Sequence, residues 1–353
     1  MKKNLFFALT CFICTILMNT QSVNAQSAED GTLLLSDYAY TDADNLVGTI
    51  IIHGQESTSS DKDFVLRGDN AGKFKIKKGN QLYIRGKYAK SDEKWVDVTV
   101  GTADGQLSAG FRAVKDQFHT NGVIAHRGAW KNTKVPQNSI ASFEEAVKLG
   151  CEGSEFDVHL SADSVTVLFH DRDKEGLVIE KTSYEELSEE RLSNGEVLPR
   201  LLDFLKAGMN QNTTKMILEI KPSAVSKERG IALTEYVVRQ VHEAKAQGWV
   251  DYISFGYDMC QRILELDPYA KVAYLNGDKA PAEVAEDKLY GLDYNQKVFR
   301  EKPEWIAESK EAGLTLNVWT VNKPEDMDWF LEHEFDFITT DEPELLLEKA
   351  GKK

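Results

Sequence analysis

Short apolar runs at two different spacings divide the chain into two parts. From about Gly31 to Phe111, apolar runs of three to six residues alternate with turns rich in Gly, Asp, Asn and Ser, and no helical period appears. This spacing is typical of an antiparallel β-sandwich. We predict sandwich strands at Leu33–Leu35, Val47–Ile52, Phe64–Leu66, Phe74–Ile76, Leu82–Ile84 and Val96–Val100.

After a connection at about 113–120, apolar strands alternate with amphipathic helices over about 230 residues. This alternation predicts a closed parallel (β/α)8 TIM barrel. A doubly wound open sheet is the alternative, but no Gly-rich dinucleotide turn follows any strand. We predict strands at Val123–Ala125, Ser154–Val158, Val165–Phe169, Met216–Ile220, Tyr252–Phe255, Val272–Leu275, Gly291–Tyr294, Leu314–Val318 and Phe337–Thr339, with helices at Ser139–Leu149, Leu201–Ala207 and Ala232–Ala246.

The first 25 residues have the pattern of a secretory signal peptide. A basic head at Met1–Asn4 precedes the apolar stretch Leu5–Met18, and small residues stand just before Gln26. The stretch is short for a membrane span, so cleavage is favoured over an uncleaved anchor. We therefore predict an exported protein, periplasmic or extracellular, with a signal peptide at 1–25, a sandwich at 27–115 and a barrel at 121–350.

Composition indicates whether the chain contains disulfides and which classes of binding partner it disfavours. Two of the four cysteines lie in the signal, and Cys151 and Cys260 both fall in patterns of buried residues, so we expect free thiols and no disulfide framework. A formal net charge of −15 disfavours nucleic acid as a partner. Past the signal, no segment is long and apolar enough for stable membrane insertion.

Three carboxylates are predicted to enter the mouth of the barrel. Period-two alternation places Glu155 and Asp157 on one face of their strand, and puts Glu219 and Lys221 on one face of another. Three carboxylates converging in a region of low dielectric repel one another unless a cation lies between them. Oxygen ligands suit Mg²⁺ or Ca²⁺ better than zinc. The alternative is that the acids pair with Arg127 and Lys221 without a metal.

Two histidines complete the candidate chemistry. His126 and His170 each follow an apolar strand, and their natural joint role is one general base and one general acid. Arg127 offers planar donors for a phosphate or a carboxylate. His159 shares the face of the two strand carboxylates, but a supporting or surface role is favoured for it.

A set of short motifs recurs at the predicted strand ends, namely His126-Arg127-Gly128, Pro136–Ser139, Glu155–Val158, His170-Asp171, Leu218–Lys221, Trp319–Asn322 and Thr340–Pro343. Together these motifs resemble the glycerophosphodiester phosphodiesterase family over about residues 122–347. The resemblance implies a TIM barrel that hydrolyses a glycerophosphodiester to glycerol 3-phosphate and an alcohol. It implies Glu155, Asp157 and Glu219 as ligands of a divalent cation, His126 and His170 as the acid/base pair, and Arg127 and Lys221 as phosphate contacts.

The chain departs from the family pattern at Gln137, where the family usually has Glu, so Gln137 is not assigned to the metal. Asn138 and Trp319 are the predicted contacts for the glycerol part of the substrate. The charged segment Arg172–Glu180 offers no groove for an acyl chain, so we expect deacylated glycerophosphodiesters to be preferred. Whether the substrate's own glycerol hydroxyl or a water attacks the phosphorus stays open.

Two alternative functions remain at this point. A lysophospholipase D-like enzyme would use the same site with a wider apolar entrance. A non-catalytic surface-binding protein would instead use the sandwich, whose strand order resembles a cadherin-like domain, as its working part. In either case the sandwich is a candidate for contacting a surface glycan, a membrane partner or the rim of the barrel.

Overall fold

A computed structural model describes residues 31–55 and 64–351 of the chain. The predicted signal peptide, residues 1–25, lies outside these ranges. Within them, no helix combines the length and apolar character needed to span a bilayer. Cys151 and Cys260 are both buried free thiols, as predicted.

The amino-terminal part consists of two four-stranded sheets with a shared apolar core. One sheet has the order β1-β3-β6-β5 and the other β2-β8-β7-β4. The strands are β1 (Leu33–Leu35), β2 (Ala39–Tyr40), β3 (Leu46–Ile52), β4 (Phe64–Arg67), β5 (Phe74–Lys77), β6 (Gln81–Ile84), β7 (Trp95–Thr102) and β8 (Ser108–Lys115), with a four-residue helix α1 (Gly86–Ala89) before β7.

The sandwich prediction is confirmed, with additions. In β7, Val96, Val98 and Val100 are buried while the residues between them are partly exposed, which is the alternation expected of a strand with one core face. Strands β2 and β8 and the short helix were not predicted. Strand β8 begins Ser-Ala-Gly, which are weak strand formers, and it is held by continuous antiparallel pairing with β7.

The remaining elements alternate strand and helix. The strands are β9 (Val123–Ala125), β10 (Gly153–Leu160), β11 (Thr166–Leu168), β12 (Asp173–Lys174), β13 (Leu177–Val178), β14 (Lys215–Ile220), β15 (Val250–Ser254), β16 (Val272–Tyr274), β17 (Gly291–Asn295), β18 (Thr315–Trp319) and β19 (Phe337–Thr340). The helices are α2 (Ile140–Leu149), α3 (Tyr184–Glu189), α4 (Leu201–Gly208), α5 (Lys227–Ala244), α6 (Tyr257–Leu266), α7 (Pro281–Glu286), α8 (Gln296–Glu301), α9 (Glu304–Glu311), α10 (Pro324–Glu332) and α11 (Pro343–Ala350).

Eight of these strands form a closed parallel barrel. Strand β9 pairs in parallel with both β10 and β19, which closes the ring β9-β10-β14-β15-β16-β17-β18-β19. Side chains that point inward, such as Ile124, Ile217 and Ile253, form a small apolar core inside the ring. The alternate residues, such as Leu218 and Ile220, pack outward against the helices. The predicted (β/α)8 barrel is confirmed.

The run Val165–Phe169 differs from the prediction. Its strand β11 pairs antiparallel with β10 and lies outside the ring. The connection from Leu160 to Thr166 is a tight turn with Ser164 at a φ of 64°. A parallel crossover needs a dozen or more residues. Because this connection is much shorter, it can form only a hairpin. His170 therefore reaches the barrel mouth from a hairpin and not from the end of a barrel strand.

The sandwich packs against the end of the barrel where the strands begin. The rings of Trp95 and Trp249 meet edge-on at 5.8 Å, and Trp249 lies just before β15. Asn212, before β14, donates its side-chain N–H to the carbonyl of Lys115 at 2.7 Å. Val114 of β8 belongs to the apolar core of the barrel. The candidate site lies at the opposite end of the barrel, where the strands finish.

Candidate active site

A cavity of about 110 Å³ opens where the barrel strands finish. It brings together residues from all eight barrel strands or the loops that follow them, and His170 from the hairpin. Seven of the nine predicted site residues line it, while Asp157 and Asn138 lie behind its wall. The lining is His126, Arg127, Glu155, His170, Glu219, Lys221, Ile253, Phe255, Leu275, Asp293, Trp319, Thr320 and Thr339.

The three predicted metal ligands converge. Glu155 and Asp157 point to one side of β10, and Asp157 is directly opposite Glu219 in the register of β10 and β14. One carboxylate oxygen from each lies within 4.8 Å of the others, and all three side chains are buried. In the part of the chain that the structure describes, Glu155 Oε1 has no hydrogen-bond partner.

Burial and mutual repulsion perturb this group strongly. Burial, together with the charges of Asp157 and Glu219, raises the pKa of Glu155 well above its ordinary value. Burial and the Asp157 charge raise the pKa of Glu219 to about 8. Burial also acts to raise the pKa of Asp157, but the Lys221 cation and other donors outweigh it and hold that pKa below its ordinary value. A hard cation ligated by these oxygens would remove the repulsion, so the donor set fits Mg²⁺ or Ca²⁺.

The neighbouring cations neutralise part of the acidic group. Lys221 Nζ lies 3.0 Å from Asp157 Oδ1 and 2.8 Å from Glu219 Oε1. Arg127 donates its backbone N–H to Glu155 Oε2 at 2.8 Å and its Nη1–H to Gln137 Oε1 at 3.0 Å. The acids thus do pair with cations, as the alternative without a metal required. Among the residues of ranges 31–55 and 64–351, however, two cations face the three carboxylates and one oxygen of Glu155 stays unpartnered.

The turn that carries Arg127 is conformationally constrained. Arg127 has a φ of 58° and Gly128 a φ of 85°, both in the left-handed region. A Cβ on Gly128 would overlap the side chain of Ser142 in α2, so no larger residue fits there. This turn fixes the direction of the Arg127 backbone N–H, which points to Glu155.

His126 is oriented by a carboxylate that the sequence analysis did not assign. Its Nδ1 lies 2.7 Å from Asp341 Oδ1, just beyond β19. Burial acts to raise the pKa of Asp341, but its hydrogen bond and charge interaction with His126 hold it below the ordinary value. The carboxylate therefore accepts, Nδ1 carries the proton, and Nε2 is free for chemistry. Asn322 in turn fixes Asp341, donating to Oδ2 at 2.7 Å and accepting from its backbone N–H at 2.9 Å.

His170 has a more exposed arrangement. Its Nδ1 lies 2.7 Å from Asp171 Oδ1, and the Asp171 side chain is 68% exposed. Burial lowers the pKa of His170, and the nearby cations add to this against the opposing charge of Asp157. His159, buried beneath, donates from Nε2 to the His170 carbonyl at 3.2 Å. The supporting role favoured for His159 in the sequence agrees with this contact.

Asn138 lies behind the cavity wall and contacts Asp157. Its side chain is buried, its Nδ2 donates to Asp157 Oδ2 at 2.8 Å, and its Oδ1 accepts from the Asp157 backbone at 2.9 Å. Both amide atoms thus hold Asp157, so Asn138 positions that carboxylate, and its contact with substrate stays a prediction. Trp319 does line the cavity, but its indole N–H donates to the carbonyl of Asp293 at 2.9 Å, which leaves only the ring for contact with substrate carbons.

Comparisons with known proteins agree with this geometry. The model of the glycerophosphoryl diester phosphodiesterase family matches residues 126–345. A glycerophosphodiester phosphodiesterase from Caldanaerobacter subterraneus subsp. tengcongensis is 29% identical over 246 residues, covering 65% of this chain and 98% of the relative.

Two solved structures show the same likeness. The crystal structure of a glycerophosphodiester phosphodiesterase from Parabacteroides distasonis has a TM-score of 0.64 and 42% identity, and covers 67% of this chain and 98% of the other. An Oleispira antarctica phosphodiesterase, solved in complex with the product sn-glycerol-3-phosphate, has a TM-score of 0.55 and 25% identity, and covers 65% of this chain and 96% of the other.

Proposed function

Because the chain belongs to the glycerophosphoryl diester phosphodiesterase family, we propose that its cavity hydrolyses deacylated glycerophosphodiesters with the help of a divalent cation and two histidines. The chain is a glycerophosphodiester phosphodiesterase, and its reaction gives glycerol 3-phosphate and an alcohol. The alternative of a non-catalytic binding protein is therefore not retained.

The observation that carries the proposed mechanism is the meeting of three buried carboxylates with two histidines on one cavity. Glu155, Asp157 and Glu219 would hold the cation. When bound, Mg²⁺ or Ca²⁺ supplies positive charge that polarises the phosphoryl group. The unpartnered oxygen of Glu155 supports this assignment, because a buried carboxylate oxygen without any partner is costly.

Arg127 and Lys221 are proposed to bind the phosphate oxygens. Both side chains line the cavity, and each keeps N–H donors beyond those used by the acids and Gln137. Donors that are already in position stabilise the charge that develops on the phosphoryl oxygens without reorganising during the reaction. Asn138 contributes indirectly, by holding Asp157 in the geometry that keeps Lys221 in place.

The two histidines are proposed to move the protons. The attacking hydroxyl, from water or from the glycerol itself, gives its proton to one imidazole as the new P–O bond forms. The bond to the leaving alkoxide breaks, and that oxygen receives a proton from the other imidazole. Burial favours the neutral form of His170, which suits the acceptor role. His126, whose Nδ1 is held by Asp341, then presents Nε2 as the donor.

Export and the role of the sandwich also stay proposals. The pattern of residues 1–25 supports export to the periplasm or the outside. The sandwich lies at the end of the barrel away from the cavity, which favours a docking role, towards a surface or glycan, over a direct part in the chemistry.

The test is hydrolysis of glycerophosphocholine, glycerophosphoethanolamine and lysophosphatidylcholine by the full mature chain. We expect release of glycerol 3-phosphate from both deacylated diesters and a much lower kcat/KM on the lysophospholipid. Equal or higher kcat/KM on the lysophospholipid would favour the lysophospholipase D-like alternative instead.

A further inference from the structure

A buried carboxyl group lies in the floor of the active-site cavity and has no part in the chemistry described above. Asp293 points inward from β17, while its neighbours Leu292 and Tyr294 pack outward against the helices. Its side chain is 1% exposed, and Ile253 and Leu275 line the cavity beside it. An ionisable group in such apolar surroundings needs a partner or a purpose.

The carboxyl group is incompletely satisfied. Among the described residues, Asp293 Oδ1 is buried and has no hydrogen-bond partner. Asn317 occupies the same register position on β18 and lies beside it, but the Asn317 side chain also exchanges hydrogen bonds with Thr339 Oγ1 at 3.2 Å. Burial raises the pKa of Asp293 to about 7. The carboxyl oxygen thus offers a free hydrogen-bonding position to whatever fills the cavity.

Asp293 is also where two cavities meet. Below it, inside the barrel, a second cavity of about 40 Å³ is lined largely by apolar side chains such as Ile124 and Ile217. Since a cavity needs about 10–15 Å³ of this kind of space to hold a water, it has room for water but not for an acyl chain. The floor at Asp293 is therefore closed to a long substituent.

We propose that Asp293 is a specificity-determining residue that accepts a hydrogen bond from the terminal hydroxyl of the substrate's glycerol. This proposal rests on the proposed function, in which Arg127, Lys221 and the cation hold the phosphate at the mouth. The terminal hydroxyl is the glycerol group farthest from the phosphorus, so it is the one that reaches the floor. An acyl ester at that oxygen has no hydrogen to donate and carries a chain that the floor cannot admit, which explains selection of deacylated diesters.

The proposal is tested by binding, without turnover, on the full mature chain in saturating Mg²⁺ or Ca²⁺. Calorimetry compares sn-glycerol 3-phosphate, 2-hydroxypropyl phosphate, which lacks the terminal hydroxyl, and 3-hydroxypropyl phosphate, which lacks the central one. The titrations are done at about pH 8.5, where a carboxyl group with a pKa of about 7 is ionised. For the wild type we expect loss of the terminal hydroxyl to weaken binding about 10- to 100-fold, the usual effect of a lost hydrogen bond to a charged group. In Asp293→Leu this ratio should fall to within about threefold of unity, with the affinity for 2-hydroxypropyl phosphate retained.

Asp293→Asn, which keeps the shape and one acceptor oxygen, should retain part of the discrimination. Asp251→Asn is the matched control, because Asp251 lines the lower cavity but not the active-site cavity, and it should bind all three ligands as the wild type does. An unchanged ratio in Asp293→Leu would overturn the proposal and show that water alone satisfies the carboxyl group. Hydrolysis of glycerophosphocholine, measured separately, reports on the proposed function, so the two failures are distinguishable.

Discussion

The hydrogen bond between His126 and Asp341 provides the sharpest mutational test of the proposed mechanism. In Asp341→Asn the amide has one acceptor and one donor, whereas the two sides of the wild-type carboxylate both accept, from His126 Nδ1 and from Asn322 Nδ2. If the new amide turns its oxygen towards His126, its NH₂ group faces the side-chain N–H of Asn322, and two donors meet without an acceptor. With its nitrogen towards His126, it forces the imidazole into the other tautomer.

The size of the effect follows from these two orientations. Losing a hydrogen bond to a charged, largely buried acceptor costs about 1.5–3 kcal/mol, or about 10- to 150-fold in kcat. Inverting the tautomer costs more, up to about 10⁴-fold in the serine proteases, where the same substitution has been made beside a catalytic histidine. We therefore expect kcat on glycerophosphocholine to fall by about 10²-fold or more, with KM changed by no more than a few-fold because the phosphate contacts stay in place.

Asp171→Asn is the control, since it makes the same substitution at the partner of His170. The Asp171 side chain is 68% exposed. An exposed pair contributes about 0–1 kcal/mol, so kcat should fall less than about fivefold. The measurement is the steady-state kcat and KM of both variants, with circular dichroism to verify folding. Equal losses in the two variants, or a loss in Asp341→Asn that appears in KM alone, would refute the positioning role of Asp341.

Three further predictions concern proton transfer, stability and the packing of the two parts. His126→Ala and His170→Ala should each lower kcat by roughly 10²–10⁴, and the double variant should be little worse than the poorer single one; near-full turnover in a single variant would remove that histidine from the mechanism. The pKa of Asp293 is about 7 in the folded chain and about 4 in the unfolded chain. Between these two pH values the folded wild type binds one more proton than the unfolded chain, so its free energy of unfolding falls as the pH rises from about 4 to 7. The Tm advantage of Asp293→Asn over the wild type should therefore grow from pH 5 to pH 8, and a constant difference in thermal melts would contradict this. Trp95→Ala, which removes the ring packed on Trp249, should lower stability by about 1–3 kcal/mol while kcat is unchanged; a fall in kcat at full folding would show that the sandwich acts on the site.

Much of the fold could be predicted because buried parallel strands are continuous apolar runs. The runs at Met216–Ile220 and Leu314–Val318 are close to strands β14 and β18 as observed. The antiparallel pairing of β11 was missed because apolar character does not reveal strand direction. The length of the connection between β10 and β11 does reveal the strand direction, because so few residues cannot make a parallel crossover.

The site was predictable where function depends on position along a strand. Glu155, Asp157 and Glu219 converge because strand period and barrel closure together fix their direction. Roles that depend on side-chain contacts between neighbouring strand ends were not predictable. The hydrogen bonds of Asn138 to Asp157 were missed, and Asp341 received no role although it follows a barrel strand just as other site residues do. Such pairings depend on side-chain geometry between distant segments, which no local pattern contains.

We propose that hydrolysis of a glycerophosphodiester requires a divalent cation held by the three carboxylates. The most direct measurement follows glycerophosphocholine by ³¹P NMR with the full chain as purified, after EDTA treatment and dialysis, and after addition of Mg²⁺ or Ca²⁺. We expect glycerol 3-phosphate to form, its formation to stop after chelation, and activity to return with one or both cations. Full activity after exhaustive chelation and dialysis would contradict the metal assignment.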